Sequence, residues 1–336
     1  MAGALGRSVP FSFDQASREA AAAARNDRVV VPPVLDVVLP SRPGDVDLSE
    51  LGAFLRHPVK EFVRRSVGLN VFDDDDEVRD AIPIELDGLE QWAVGKRLLD
   101  DQLRGLDPRQ ALATEWRRGA LPPGRMGWSQ AQRIADQVQP IVAKATGVMG
   151  DTRRTSADVD LDLDLGDGRR LRGTVPGVHG NRVIEVSYSS LGARHYLDAW
   201  VPLLALSVAQ PDAGWTAGTV ARDRDGAQMV VFDAIDADTA RRHLLDLVAL
   251  YDLGMTRPLR MPLKTAFCLA KVGEQGGWGA RRAWDGDYGE NRDALHQAVW
   301  GQTARFEVLR DDSPELVVDS LAERLWRPVL DRAVLA

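Results

Sequence analysis

The stretch most able to do chemistry is Leu171–Ser187, which reads Leu-Arg-Gly-Thr-Val-Pro-Gly-Val-His-Gly-Asn-Arg-Val-Ile-Glu-Val-Ser. Its spacing predicts a strand reaching Gly173-Thr174-Val175, a Gly-rich turn, and a second strand over Arg182–Val186. A metal-dependent phosphodiesterase on this frame needs converging carboxylates for Mg²⁺ and usually a Lys beside the attacking water. That means an acid near position 176 and an acid-x-Lys near 185–187. The sequence has Pro176, then Glu185-Val186-Ser187. Pro176 removes one ligand, Ser187 removes the amine, and Glu185 alone cannot fix an octahedral ion. The expectation is a nuclease-like frame with no catalytic residue and no metal ligand set. The rival expectation is an active nuclease with migrated acids, drawing on Glu185 and the row Asp158–Asp164.

Other motifs fail on spacing. Gly88–Arg97 contains a Gly95-Lys96 pair, but the first Gly of a phosphate-binding loop is replaced by Glu90 or Gln91, and Arg97 stands where Ser or Thr is required. No ATP site is expected. The five histidines (57, 179, 195, 243 and 296) are scattered along the chain, and Gly-x-Ser-x-Gly is absent. Packing or surface roles are expected for His179 and His195. A calcium loop starting at Asp158 would need Gly at 163 and Glu at 169, which are Leu163 and Arg169. Among the basic pairs, Arg153-Arg154 and Arg169-Arg170 with Arg172 flank one hairpin, and these five are the candidate DNA-phosphate contacts, sequence-independent and salt-sensitive.

The elements that must position these residues emerge from patterning. With 336 residues, 44% hydrophobic and 27% charged, the chain is globular and long enough for two domains. A net charge of −8 argues against a free-standing non-specific DNA binder, though not against a subunit sharing a channel with basic partners. Cys268 is the single cysteine, so no internal disulfide and no cysteine-based zinc site is expected. No apolar run reaches the length of a membrane span and no signal-peptide core opens the chain, so a cytoplasmic protein without membrane contact is expected. Residues 1–47 read as a linker, with an alanine-rich piece at Ala20–Ala24 and Pro-rich breaks, as if tying a preceding region to the helices beyond it. Residues 48–150 read as a helical subdomain, with Ser49, Asp107 and Ser129 as caps, Asp87 near the start of a helix over Leu86–Leu103, and Pro58 and Pro108 opening helices. Asp73–Glu77 is expected to be a solvated acidic turn. Residues 151–336 read as an α/β (α+β) domain. Val159, Leu161, Leu163 and Leu165 alternate with aspartates, and the element order is strand, strand, strand, helix, strand, strand. Three C-terminal helices are expected over Asp238–Leu253, Asn291–Thr303 and Pro314–Leu330, with Gly273–Gly289 as a loop whose Trp278 and Trp284, like Trp300, are interface anchors or core positions.

Taken in order, several stretches resemble one family. They are Pro10-Phe-Ser-Phe-Asp14, Leu51-Gly-Ala-Phe-Leu-Arg-His-Pro-Val-Lys-Glu-Phe62, Ile82-Pro-Ile-Glu-Leu-Asp-Gly-Leu89, Gly119-Ala-Leu-Pro-Pro-Gly124, Gly173-Thr-Val-Pro-Gly-Val178 and Leu250-Tyr-Asp-Leu-Gly-Met-Thr-Arg-Pro-Leu259. The set is similar to the C-terminal third of RecC, the gamma subunit of exonuclease V (the RecBCD helicase-nuclease). The resemblance implies a degenerate PD-(D/E)xK nuclease-like core with a helical insert and C-terminal helices, with Pro176 where active relatives carry the acid. It implies docking against RecB-like and RecD-like subunits, and a part in splitting and routing the strands of double-stranded DNA ends and forked DNA during recombinational repair. Mg²⁺ and ATP would be used by those partners, with no cofactor in this chain. Two helicase-like domains precede this region in the family and are absent from this sequence, and recognition of the Chi sequence belongs to that missing part. A module that only docks subunits, without touching DNA, is the third expectation.

Overall fold

In a computed structural model, which describes residues 38–41, 43–68, 86–150, 156–224, 226–272, 277–302 and 304–336 together with Ala22, a short strand β1 (Val46–Asp47) runs straight into helix α1 (Leu48–Arg56). The cap of α1 is Asp47 rather than Ser49. The Asp47 carboxylate accepts from the Ser49 and Glu50 N–H groups at 2.8 and 3.2 Å, and its charge also suits the helix N-terminus. Ser49 sits inside the first turn and donates its hydroxyl to Asp47 at 2.5 Å. His57 ends α1 and caps α2 (Pro58–Phe62), which starts on proline and runs on into one wide turn, Val63–Val67. The acidic run Asp73–Glu77 and most of the 1–47 segment lie outside the described residues.

Helix α3 (Gly88–Leu103) opens with a reciprocal box. Asp87 accepts from the Glu90 N–H, and the Glu90 carboxylate accepts from the Asp87 N–H, both at 2.8 Å. Helix α4 (Pro108–Arg117) is capped by Asp107. Helix α5 (Gly124–Met149) begins five residues before the expected cap at Ser129. Gly124 at φ +74° and Gly127, which leaves no room for a Cβ against the Pro122 carbonyl, allow the earlier start. Ser129 is left inside the helix, donating to the Met126 carbonyl at 2.9 Å.

The remaining elements are β2 (Ser156–Asp164), β3 (Arg170–His179), β4 (Arg182–Ser190), α6 (Ala193–Ala209), β5 (Thr216–Asp223), β6 (Gly226–Phe232), α7 (Ala237–Thr256), α8 (Leu263–Val272), α9 (Gly277–Asp285), α10 (Ala294–Trp300), α11 (Val318–Leu330) and β7 (Ala333–Leu335). The expected order of three strands, a helix and two strands is present, and Leu161 and Leu163 are buried while all four β2 aspartates are exposed. The expected loop at Gly273–Gly289 contains α9 instead. Glycine-rich composition is overridden there because Ala280 and Trp284 are fully buried among the C-terminal helices. Trp284 is thus core, Trp300 is partly buried, and Trp278 on the same helix as Trp284 is 72% exposed.

The strands form one mixed sheet. Its order is β1-β3-β4-β5-β6-β7, with β2 also paired to β3. Strands β4 and β5 are parallel and joined through α6, a crossover that puts a helix on the sheet. Helix α6 is apolar nearly all round and sits between the sheet and the α1, α7 and α8 side. Helices α3–α5 cover the opposite face, packing on Tyr188, Val220 and Met229. The helices of residues 48–150 therefore divide between the two faces. Gly95 belongs to this packing: a Cβ there would fall 2.1 Å from the Tyr188 ring, so its glycine serves a helix–sheet contact and Lys96 pairs with Asp100.

Gly254 on α7 has the same relation to the fully buried Phe54 ring of α1, where an added Cβ would fall 2.2 Å away. Helix propensity alone makes Gly254→Ala stabilising by about 1 kcal/mol. Overpacking against a rigid ring opposes this by about 1–3 kcal/mol. The expected result in urea unfolding is a net loss of stability, reversed when Phe54→Leu is added.

Candidate functional site

The Pro176 region is shaped by an unusual sharing of one strand edge. Along its first edge β3 pairs antiparallel with β2, from Ser156 opposite His179 to Asp164 opposite Arg170. Its second edge is divided: β4 holds only Val178 and His179, and β1 holds only Leu171 and Arg172. Between them, Gly173–Gly177 has no strand on that edge among the described residues, a place where proline is tolerated because no ladder donor is needed. Opposite Pro176 the register of β2 shifts at Asp158, whose carboxylate accepts from the Gly177 N–H at 3.0 Å. Gly173, at φ +157°, brings β3 against Leu48, where a Cβ would sit 2.7 Å from the Leu48 side chain.

The split opens a cavity of about 300 Å³ between α1, β3, β4 and α6. Pro176 and Glu185 both line it, so these two positions singled out in the sequence lie at one site. Ser187 shares the Glu185 face of β4 by strand alternation, but it does not line the cavity and accepts from the Ser189 N–H at 3.2 Å. The residues missed from sequence are the charged ones. Arg56 from α1 donates to Asp198 on α6 at 2.5 Å, and Arg194 lies 3.5 Å from the other Asp198 oxygen. Arg194 and Asp198 are spaced i,i+4, a signal visible in sequence. Arg56 is 142 positions from Asp198, and only the fold brings it there.

Burial pushes the Glu185 carboxyl up to about 7, helped by the negative charge of Asp198 and opposed by Arg194 and Arg56. Two guanidinium groups thus face two carboxyls, one of them half protonated near neutral pH. The pocket lacks the excess of negative charge that a hard divalent cation requires. None of the four β2 aspartates lines it. They are used across the hairpin: Asp160 accepts the Thr174 hydroxyl at 2.7 Å, and Asp162 pairs with Arg170 and Arg172.

The hairpin arginines have acidic partners. Arg169 makes two 2.9 Å hydrogen bonds to Asp252 and one of 2.7 Å to Asp167. Arg170 pairs with Asp162, and Arg172 lies 2.6 Å from Asp45 and 3.2 Å from Asp162. Arg153 and Arg154 lie outside the described residues. His195 is buried, and its Nδ1 accepts the Gly192 N–H that opens α6. His179 is buried at the end of β3. The histidines are not all apart, however. His57 and His296 meet with ring centres 4.7 Å apart.

Glu185 gives a pH signature. An unfolded carboxyl titrates near 4.5 and the folded one near 7, so between these values the folded state holds a proton that the unfolded state does not. Its contribution is most favourable below the lower value and is lost as pH rises through the upper one, by on the order of 2 kcal/mol. Urea unfolding of the native chain and of Glu185→Gln from pH 5 to pH 8 is expected to show the variant gaining relative stability with rising pH; a constant difference contradicts it.

Known proteins share much of the sequence. The family model described as RecC C-terminal domain matches residues 43–274. The RecBCD enzyme subunit RecC of Mycolicibacterium smegmatis is 38% identical over 343 aligned positions, covering 98% of this chain and 31% of that protein. Its counterpart in Mycobacterium tuberculosis (strain H37Rv) is 37% identical with the same coverage. The Escherichia coli RecC subunit is 24% identical over 294 positions, covering 85% of this chain and 24% of that protein. The chain spans about a third of the length of the first two of these relatives.

Proposed function

The chain belongs to the RecC family, and from that premise we propose that it is the non-cutting C-terminal part of a RecC-type subunit in an exonuclease V (RecBCD) complex. In this reading the sheet and its flanking helices are a degenerate PD-(D/E)xK core, kept as a rigid wall against which motor subunits draw and part the strands of a DNA end. The order β2-β3-β4-α6-β5, with β4 and β5 parallel, supports the fold assignment. The observation that carries the functional reading is the cavity at the strand split. There Pro176 replaces an acid, and Arg56 and Arg194 already satisfy Asp198, so guanidinium groups stand where a nuclease would collect metal ligands.

Docking to partner subunits of the RecB and RecD kind is supported by the relatives, each a subunit of a RecBCD enzyme. No helix among the described residues is long and apolar enough to cross a membrane. The pairing of Arg169, Arg170 and Arg172 with acids favours a second reading, a docking module that does not touch DNA. Phosphate contact by these arginines would have to displace carboxylates, so each is expected to contribute less than a full counterion to the salt dependence.

Two experiments separate these readings. Single-turnover incubation of the chain with linear duplex and Mg²⁺ or Mn²⁺ is expected to leave the DNA intact, with Glu185→Ala indistinguishable; cleavage that Glu185→Ala abolishes establishes the migrated-acid nuclease instead. In a complex reconstituted with helicase and nuclease subunits, forked DNA is expected to cross-link to this chain in a salt-dependent way. Assembly without any such cross-link favours the docking module.

A further inference from the structure

Away from the strand split, His57, Asp293 and His296 each direct one donor atom into a common space, all three within 4.8 Å of one another. His57 stands between α1 and α2, Asp293 caps α10, and His296 lies on the first turn of α10. The His57 Nε2 to Asp293 Oδ2 distance is 3.3 Å, close to the roughly 3.4 Å separating two donors on a tetrahedral ion with bonds of about 2.0–2.1 Å.

His296 is the informative member. It is 4% exposed, and its Nδ1 lies 2.7 Å from the Glu290 carbonyl, which fixes the proton on that nitrogen. The remaining lone pair is on Nε2, and that buried atom has no hydrogen-bond partner among the described residues. An imidazole held through Nδ1–H by a backbone carbonyl, with a bare Nε2, is the arrangement of a metal-ligating histidine. Trp284 and Trp300 pack on the ring and exclude water from its back. His57 and Asp293 are partly exposed and leave a route for an ion.

We propose that His57, Asp293 and His296 form a binding site for a borderline divalent transition metal of the Zn²⁺ or Co²⁺ class, with water as fourth ligand, joining the start of α2 to α10. Two imidazole nitrogens and one carboxylate oxygen select such ions over Mg²⁺ or Ca²⁺. Asp293 keeps its cap while it ligates, because Oδ1 serves the Leu295 and His296 N–H groups and Oδ2 faces the site. His57 has to give something up. Its Nδ1 accepts from the Lys60 N–H at 3.2 Å in the metal-free arrangement, so ligation through Nε2 moves the proton to Nδ1 and releases that cap.

The test uses tag-free chain stripped with chelator and titrated with Co²⁺ and Zn²⁺. One ion per chain is expected, with micromolar affinity, Co²⁺ absorption of a low-coordinate site, and a rise in melting temperature on adding Zn²⁺. His57→Asn and Asp293→Asn keep a capping side chain and remove a ligand, and His296→Phe fills the same space without one. Each is expected to weaken binding at least about tenfold while circular dichroism stays native. Absence of stoichiometric binding to the unmodified chain, or equal binding by the three folded variants, overturns the proposal.

Discussion

Strand β3 has two edges and three partner strands, and the rest of the molecule is arranged around that excess. Because β4 and β1 each take only one end of the second edge, neither can seal its centre. The gap admits a proline, spares Gly173–Gly177 a ladder partner on that edge, and leaves room for side chains from α1 and α6. Helix α1 is fixed over the gap by β1 on one side and by Phe54 against Gly254 on the other, which brings Arg56 to Asp198. The cavity at Pro176 is thus a product of strand pairing, and its electrostatics are a product of helix placement.

The two charge clusters differ in how they are kept. Asp198 is nearly buried and serves two half-exposed arginines, so removing it would leave two cations facing a cavity that also raises the Glu185 pKa. The hairpin ion pairs lie largely in solvent, where such contacts contribute little to stability, and their effect is to neutralise a surface that would otherwise be strongly acidic. Arg169 is the exception, since its bidentate bonds to Asp252 tie the hairpin to α7 with little solvent access.

Local chemistry was legible in the sequence wherever a short pattern decides the structure. The apolar–acidic alternation of β2 and the Asp-Pro opening of α4 each formed as their residues dictate, and so did the β4–α6–β5 order. Competition between neighbouring residues was harder to read. Asp47 outcompetes Ser49 because a carboxylate in extended conformation reaches two N–H groups, and Pro123-Gly124 starts α5 ahead of Ser129. Helix α9 was hidden by its glycines because the burial of Trp284 that stabilises it is tertiary. At the site, Pro176, Glu185 and Ser187 were legible as positions, but Arg56, the pairing of every hairpin arginine in the described residues, and the meeting of His57 with His296 rest on contacts far apart in the chain.

The parallel pairing of β1 with β3 also joins parts of the chain that lie far apart in sequence. Asp45 and Arg170 are 125 positions apart, yet the Arg170 N–H donates to the Asp45 carboxylate at 2.9 Å. Closing so long a segment is entropically expensive before its contacts repay it, whereas the β2–β3 hairpin and the α3–α5 packing are local. The nascent chain can therefore build the hairpin, the crossover and the α3–α5 layer while the segment carrying Arg56 is still unattached. Docking of that segment adds Arg56 to the Arg194 already carried by α6, so the charge balance around Asp198 is complete only once β1 and α1 are in place.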